Sequence, residues 1–181
     1  LGLLAMYCAL AYSTLQMQKS SFLYINPGAQ YPCPASVFSA ITIELGGPHF
    51  RTDHRGVPWE YEPASWAILT AIGNYRPVNR GHIIFWDFGL VVQFPPGATI
   101  LIPPGLIRYS FVKVAEHHTR YSILQWAGAG IQRFLDNDDR TDLQFATTTT
   151  KKEHEGREGR RRRDHLASIG MFPFVDELRE G

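Results

Sequence analysis

Arg120 stands in the run Thr119-Arg120-Tyr121-Ser122, eleven residues after Tyr109, within a stretch of short strands. A guanidinium is planar and makes two parallel hydrogen bonds to a carboxylate, so an arginine in this setting can grip a small organic acid. The simpler alternative is a strand arginine that caps a carboxylate such as Asp87 or Glu116. His54, beside Asp53 in a polar loop, has the type to bind a metal or to sit in solvent. His82 reads as a strand-start residue and His117-His118 as a hairpin tip. The run Arg160-Arg161-Arg162-Arg163 could meet phosphate, but the glutamates around it read more simply as a solvated helix face. Cys8 and Cys33 have no zinc-type spacing, and a reduced intracellular protein is a simpler reading than a disulfide.

These residues need a scaffold, and the sequence outlines one. The chain has 181 residues, 44% of them hydrophobic and 13% aromatic, which suits one domain with appendages and a real core. The net charge of +1 gives no global field for nucleic acid or membrane. From residue 37 onward, short runs of Ile, Val, Phe and Thr alternate with Gly, Pro and Asn. The predicted strands are 37–44, 66–71, 82–87, 90–94, 98–102, 109–114 and 121–126. Pro95-Pro96-Gly97 and Pro103-Pro104-Gly105 bracket one of them. Many short strands with regular turn signals predict a mainly β fold with flanking helices, a double-stranded β-helix or jelly roll. Trp66, Trp86 and Trp126 are expected in its core.

The predicted organisation has three parts: an N-terminal helical and loop segment (1–36), the jelly-roll core (37–137) and a charged helical extension (138–181). The apolar start lacks a basic flank and falls short of the roughly 20 residues that a membrane-spanning helix needs. Leu3, Leu4, Tyr7, Leu10 and Ala11 are instead expected to form the buried face of a packing helix. The chain starts without Met, so an upstream portion is expected. In the extension, a helix is predicted from about 152 to 169. Met171-Phe172-Pro173-Phe174-Val175 should dock back on the core as an apolar anchor, and Asp176-Glu177-Leu178 should start a last turn.

Non-haem iron oxygenases hold Fe(II) with two histidines and one carboxylate, leaving positions for 2-oxoglutarate and dioxygen. Their signature is His-x-Asp/Glu, a distant His, and then an Arg for the far carboxylate of 2-oxoglutarate. Several runs here resemble a fungal group of such domains, similar to the TET/JBP class and often associated with mobile elements. They are Ala71-Ile72-Gly73-Asn74-Tyr75, Arg80-Gly81-His82-Ile83-Ile84-Phe85-Trp86-Asp87 and Phe94-Pro95-Pro96-Gly97-Ala98-Thr99-Ile100-Leu101-Ile102-Pro103. Arg120-Tyr121-Ser122 with Gln125, Ala127-Gly128-Ala129-Gly130 and Arg133-Phe134 continue the likeness, which spans about 37–180. The resemblance implies a jelly roll and, in intact members, oxidation with Fe(II) and 2-oxoglutarate. For TET/JBP relatives it implies a methylated pyrimidine swung out of the duplex, hence a nucleic-acid partner and a nuclear location.

Carried over by position, Arg120 and Ser122 match the cosubstrate-binding pair. His54 matches a metal ligand, but Gly56 stands where the carboxylate belongs and Tyr109 where the distal histidine belongs. Asp53, His49, Glu60 or Glu62 could supply a carboxylate or imidazole nearby, and Tyr109 could bind as a phenolate. Three readings follow: a dioxygenase with an atypical centre of His54, Asp53 and Tyr109; a degenerate oxygenase fold that binds without catalysis or survives as a mobile-element remnant; and an unrelated cupin-like or lectin-like binding domain. The sequence leaves the oligomeric state open.

Overall fold

The computed structural model describes residues 2–45, 66–78 and 80–172. Among these residues, the centre is built from seven strands: β1 (Ala40–Glu44), β2 (Ala67–Asn74), β3 (Ile83–Phe85), β4 (Leu90–Val92), β5 (Thr99–Ile102), β6 (Tyr109–Phe111) and β7 (Thr119–Trp126). They form two antiparallel sheets, one in the order β1-β7-β2-β5 and one in the order β4-β3-β6. Side chains alternate between the faces of a strand, and the inward sets of both sheets meet in one core. Ala67, Leu69, Ala71, Ile102 and Leu124 come from the larger sheet, and Ile83, Phe85, Tyr109 and Phe111 from the smaller, with Phe94 between them. Two antiparallel sheets closed over a shared core make the double-stranded β-helix predicted from the strand and turn pattern.

All seven predicted strands are present, with changed ends. The first begins at Ala40 rather than 37, and the last begins at Thr119, which brings Arg120 into the sheet. Trp86–Phe88 is a 3-10 turn rather than strand, and it ends at Gly89 in the left-handed region. The turn breaks the two-residue period, so Trp86 is 51% exposed and not in the core. Its Nε1 donates to Ser110 Oγ at 2.9 Å on the outer side. Trp66 and Trp126 are half-buried against the two cores, nearer to expectation.

The outer face of the large sheet is covered by helices. Along α1 (Gly2–Tyr7), α2 (Ala9–Ile25) and the Cys8 that joins them, the buried residues are Leu4, Cys8, Ala11 and Leu15. They pack on Val37, Phe38, Ile68 and Ala127. This is the i, i+4, i+7, i+11 stripe of an amphipathic helix. Leu3, Tyr7 and Leu10, expected on the buried face, are exposed, because the seam runs through the small Cys8 and Ala11 instead. Ile68 faces these helices while Leu69 faces the jelly-roll interior, so β2 is apolar on both sides.

Two helices beyond β7 were not foreseen. They are α3 (Ala129–Asp136), which meets α2 through the Phe22–Phe134 ring contact at 5.7 Å, and α4 (Asp142–Thr148). A capping box starts α4: Gln144 N–H donates to Thr141 Oγ1, and Thr141 N–H donates to Gln144 Oε1. Thr150 and Glu153 repeat the device at the start of α5 (Lys151–Ile169), the helix predicted for the extension. Beyond it, Thr14 Oγ1 donates to Met171 Sδ, and the Phe172 ring lies 5.1 Å from that of Trp66. Those contacts match the expected docking of Met171 and Phe172; the rest of that anchor, Pro173, Phe174 and Val175, and the predicted turn at 176–178 lie outside the described residues. Among the described residues, no helix is long and apolar enough to cross a membrane.

Candidate functional site

The inner face of β7 carries Arg120, Ser122 and Leu124, all buried. Their neighbours follow from register. On β2, Gly73 is opposite Arg120 and Ala71 is opposite Ser122; on β1, Glu44 is opposite Ser122. Residues opposite one another share a face, so the two polar residues of β7 are flanked on one side by the smallest side chains available. Gly73 is required by the backbone: its φ is +125°, and a Cβ there would lie 2.3 Å from the Thr119 carbonyl oxygen.

The Arg120 side chain is 2% exposed and crosses from the large sheet to the small one. Its guanidinium carbon lies 3.6 Å from the centroid of Phe111 and 5.5 Å from that of Phe94. A cation over aromatic faces recovers part of the hydration it has lost. The Phe94 and Phe111 rings are stacked at 6.4 Å, and Tyr109 meets Phe111 edge-on at 5.9 Å. Tyr75, next to this cage, donates its hydroxyl to the Phe94 carbonyl. Its ring packs against Gly81, where a Cβ would come within 2.7 Å of it. Burial pushes the Arg120 guanidinium below its ordinary value, while Tyr75 and Glu44 raise it in part. Burial likewise pushes the Tyr75 phenol up, and Arg120 opposes that shift.

Ser122 is 0% exposed, and its Oγ has no hydrogen-bond partner among the described residues. A buried hydroxyl without a partner is destabilising by about 1–3 kcal/mol and is uncommon in a settled core. Ser122 and Arg120 are two residues apart on one face, so a hydroxyl donor and a cationic fork point into the same interior. That pairing suits a carboxylate.

Arg120 and Ser122, the two positions matched to the cosubstrate-binding pair, thus share one buried strand face. Tyr109 is also close, buried at 2% on the inward face of β6, two residues from the Phe111 that supports Arg120. Asp53 and His54 lie outside the described residues, as do His49, Gly56, Glu60 and Glu62. Among the described residues, no three His, Cys, Asp or Glu side chains are grouped as metal ligands. The described residues therefore fit an organic acid through Ser122 and Arg120, and they do not by themselves make an iron site. Asp87, one of the alternative partners for Arg120, accepts from the Arg108 backbone N–H at 2.5 Å and from its Nε at 3.0 Å. Glu116, the other, is exposed on a turn, beside His117 and His118. His82 is half-buried and its carbonyl accepts from Val112 N–H, a strand-start role.

Sequence reasoning missed Glu44, Tyr75 and the Phe94–Phe111 cage. Glu44 carried one usable signal: in a strand ending at 44, period two puts it on the same face as Ala40 and Thr42. Thr42 is opposite Leu124 and Glu44 opposite Ser122, both buried, which fixes that face as the inner one.

No protein-family model matches the chain, and no curated protein matches it. Solved structures that resemble it include NgTET1 in complex with 5mC DNA, at 14% identity and a TM-score of 0.47. That likeness covers 64% of this chain and 41% of the NgTET1 chain, so this protein spans about two fifths of that length. A cupin 2 conserved barrel domain protein from Salinispora arenicola matches at 17% identity and a TM-score of 0.34, over 60% of this chain and 78% of the other. Protein NMB1881 from Neisseria meningitidis matches at 14% identity and 0.29, over 57% and 93%. Likenesses this distant carry no functional argument.

Proposed function

We propose that the chain is a 2-oxoglutarate dioxygenase-like jelly roll that keeps the cosubstrate's carboxylate site and has a degenerate iron centre. The observation that carries this reading is the fully buried Ser122 Oγ, without a hydrogen-bond partner among the described residues, two residues along the strand from the buried Arg120. The Arg120 fork would take the far carboxylate of 2-oxoglutarate by two parallel hydrogen bonds, with Ser122 donating a third. Phe94 and Phe111 form an apolar wall that strengthens those bonds, and the residues across the sheet from Ser122 and Arg120 are the small Ala71 and Gly73.

The reading of a degenerate iron centre rests on side-chain chemistry. Gly56 offers no ligand in place of a carboxylate. Tyr109 offers a phenol with an ordinary pKa of about 10, which must lose its proton to bind metal well, whereas an imidazole is ready near neutral pH. In the alternative reading, His54, Asp53 and Tyr109 would hold Fe(II), and the metal would supply oxygen activation. The inward placement of Tyr109 favours that alternative. A nucleic-acid substrate follows only from the motif resemblance.

Anaerobic titration of the full chain with Fe(II), with and without 2-oxoglutarate, separates the two. The expected result is 2-oxoglutarate binding that ignores Fe(II), and no visible charge-transfer band. A band would overturn the degenerate reading and justify assays on methylated DNA. The double variant Gly56→Asp with Tyr109→His is expected to gain the band.

A further inference from the structure

Glu44 ends β1, and its partner across the sheet is Ser122. It therefore projects from the inner face, together with Ser122 and, two residues along β7, Arg120. Diagonal neighbours in an antiparallel pair are about 7–8 Å apart at the backbone, a gap that Glu and Arg side chains readily close. The Glu44 Oε2 atom is buried, whereas Ile43 on the opposite face is 62% exposed. This carboxylate is also one of the groups that favour the charged form of Arg120 against burial. A buried cation needs a compensating charge, and Glu44 sits where a second carboxylate would have to approach.

We propose that Glu44 is the resident counter-charge of Arg120 and competes with a guest carboxylate for it, so that Glu44 sets the affinity of the site. This deepens the carboxylate-binding reading above and rests on it. A guest acid that reaches Arg120 meets the like charge of Glu44 across Ser122. Replacing Glu44 by the neutral, similarly shaped Gln removes that repulsion without opening space.

The test is calorimetric titration of 2-oxoglutarate into the full chain and its Glu44→Gln and Glu44→Asp variants, with circular dichroism to establish folding. Glu44→Gln is expected to bind about tenfold more tightly, the scale of one like-charge contact in a partly buried site. Glu44→Asp, its charge drawn back by one methylene, should fall between Gln and the natural residue. If the natural protein binds and Glu44→Gln binds equally or less well, the competition is wrong while the carboxylate site stands. If neither binds, both ideas fall together. If Glu44→Gln does not fold, Glu44→Asp alone decides: tighter binding than the natural protein supports the competition, and equal or weaker binding overturns it.

Discussion

The protein places arginine against phenylalanine in two regions, with different surroundings. Around Asp142, three donors converge on one carboxylate: Arg133 Nε at 2.9 Å, Asn137 Nδ2 at 3.0 Å and Arg157 at 3.0 Å. Arg140 and Arg157 flank the Phe145 ring at 5.1 and 4.8 Å, and the Asp142 side chain is 51% exposed. In the jelly roll, Arg120 is almost wholly buried over Phe111, two residues from a hydroxyl with no hydrogen-bond partner among the described residues. The first cluster is a half-wet clamp that ties α3, α4 and α5 together. The second places hydrogen-bonding groups where water is excluded, an arrangement that gains most from a guest. On the function proposed above, similar residue pairs serve anchoring in one region and binding in the other, according to burial and to what stands beside them.

The sharpest way to break this contrast is through the close approach of the backbone opposite Arg120. Gly73→Val drives a side chain into the Thr119 carbonyl from a positive φ, and should destabilise the fold by about 3 kcal/mol in urea denaturation. An unchanged midpoint would mean that β2 and β7 do not approach so closely. Next comes Arg120→Met, which keeps bulk against Phe111 but removes the fork. It should weaken 2-oxoglutarate binding by about 100-fold in calorimetry, the worth of one or two charge-assisted hydrogen bonds. Retained affinity would move the binding site elsewhere.

Ser122→Ala has a smaller effect with an unusual sign. Removing a buried hydroxyl that lacks a partner should leave the ligand-free protein equally stable or about 1 kcal/mol more stable, while binding falls about fivefold. A loss of stability instead would mark Ser122 as structural.

The smallest effect belongs to the outer cluster. Burial raises the Asp142 pKa, but hydrogen bonds from Asn137 and Arg133 and the charges of Arg133 and Arg157 outweigh it, leaving the group below its ordinary value. A carboxyl depressed in the folded state adds stability above its unfolded pKa, and that stability is lost as pH falls through the folded value. Asp142→Asn should therefore cost about 0.5 kcal/mol at pH 7 and nothing at the acid end of a series of thermal melts. A gap that persists in acid would show that packing, not charge, makes the clamp.

Legibility in the sequence followed the range of the interactions. The two Pro-Pro-Gly runs are local turn chemistry, and they bound β5 as read: Ala98 N–H donates to the Pro95 carbonyl, and Leu106 N–H to that of Pro103. The capping pair Thr141 and Gln144 was equally local and visible, yet the short α4 was missed because its few apolar residues show no clear helical period. Arg120 and Ser122 could be paired from two-residue spacing alone. Glu44 could not, because its place beside them depends on the β1–β7 register, between segments far apart in the chain. The aromatic cage fails for the same reason, since Phe94, Phe111 and Arg120 meet only when the two sheets close.

Titrating 2-oxoglutarate into the natural protein by calorimetry, with and without Fe(II), tests the central claim most directly. The account predicts saturable binding at one site, with the same affinity in both conditions. Absence of binding by the folded protein, or binding that appears only with iron, would contradict it.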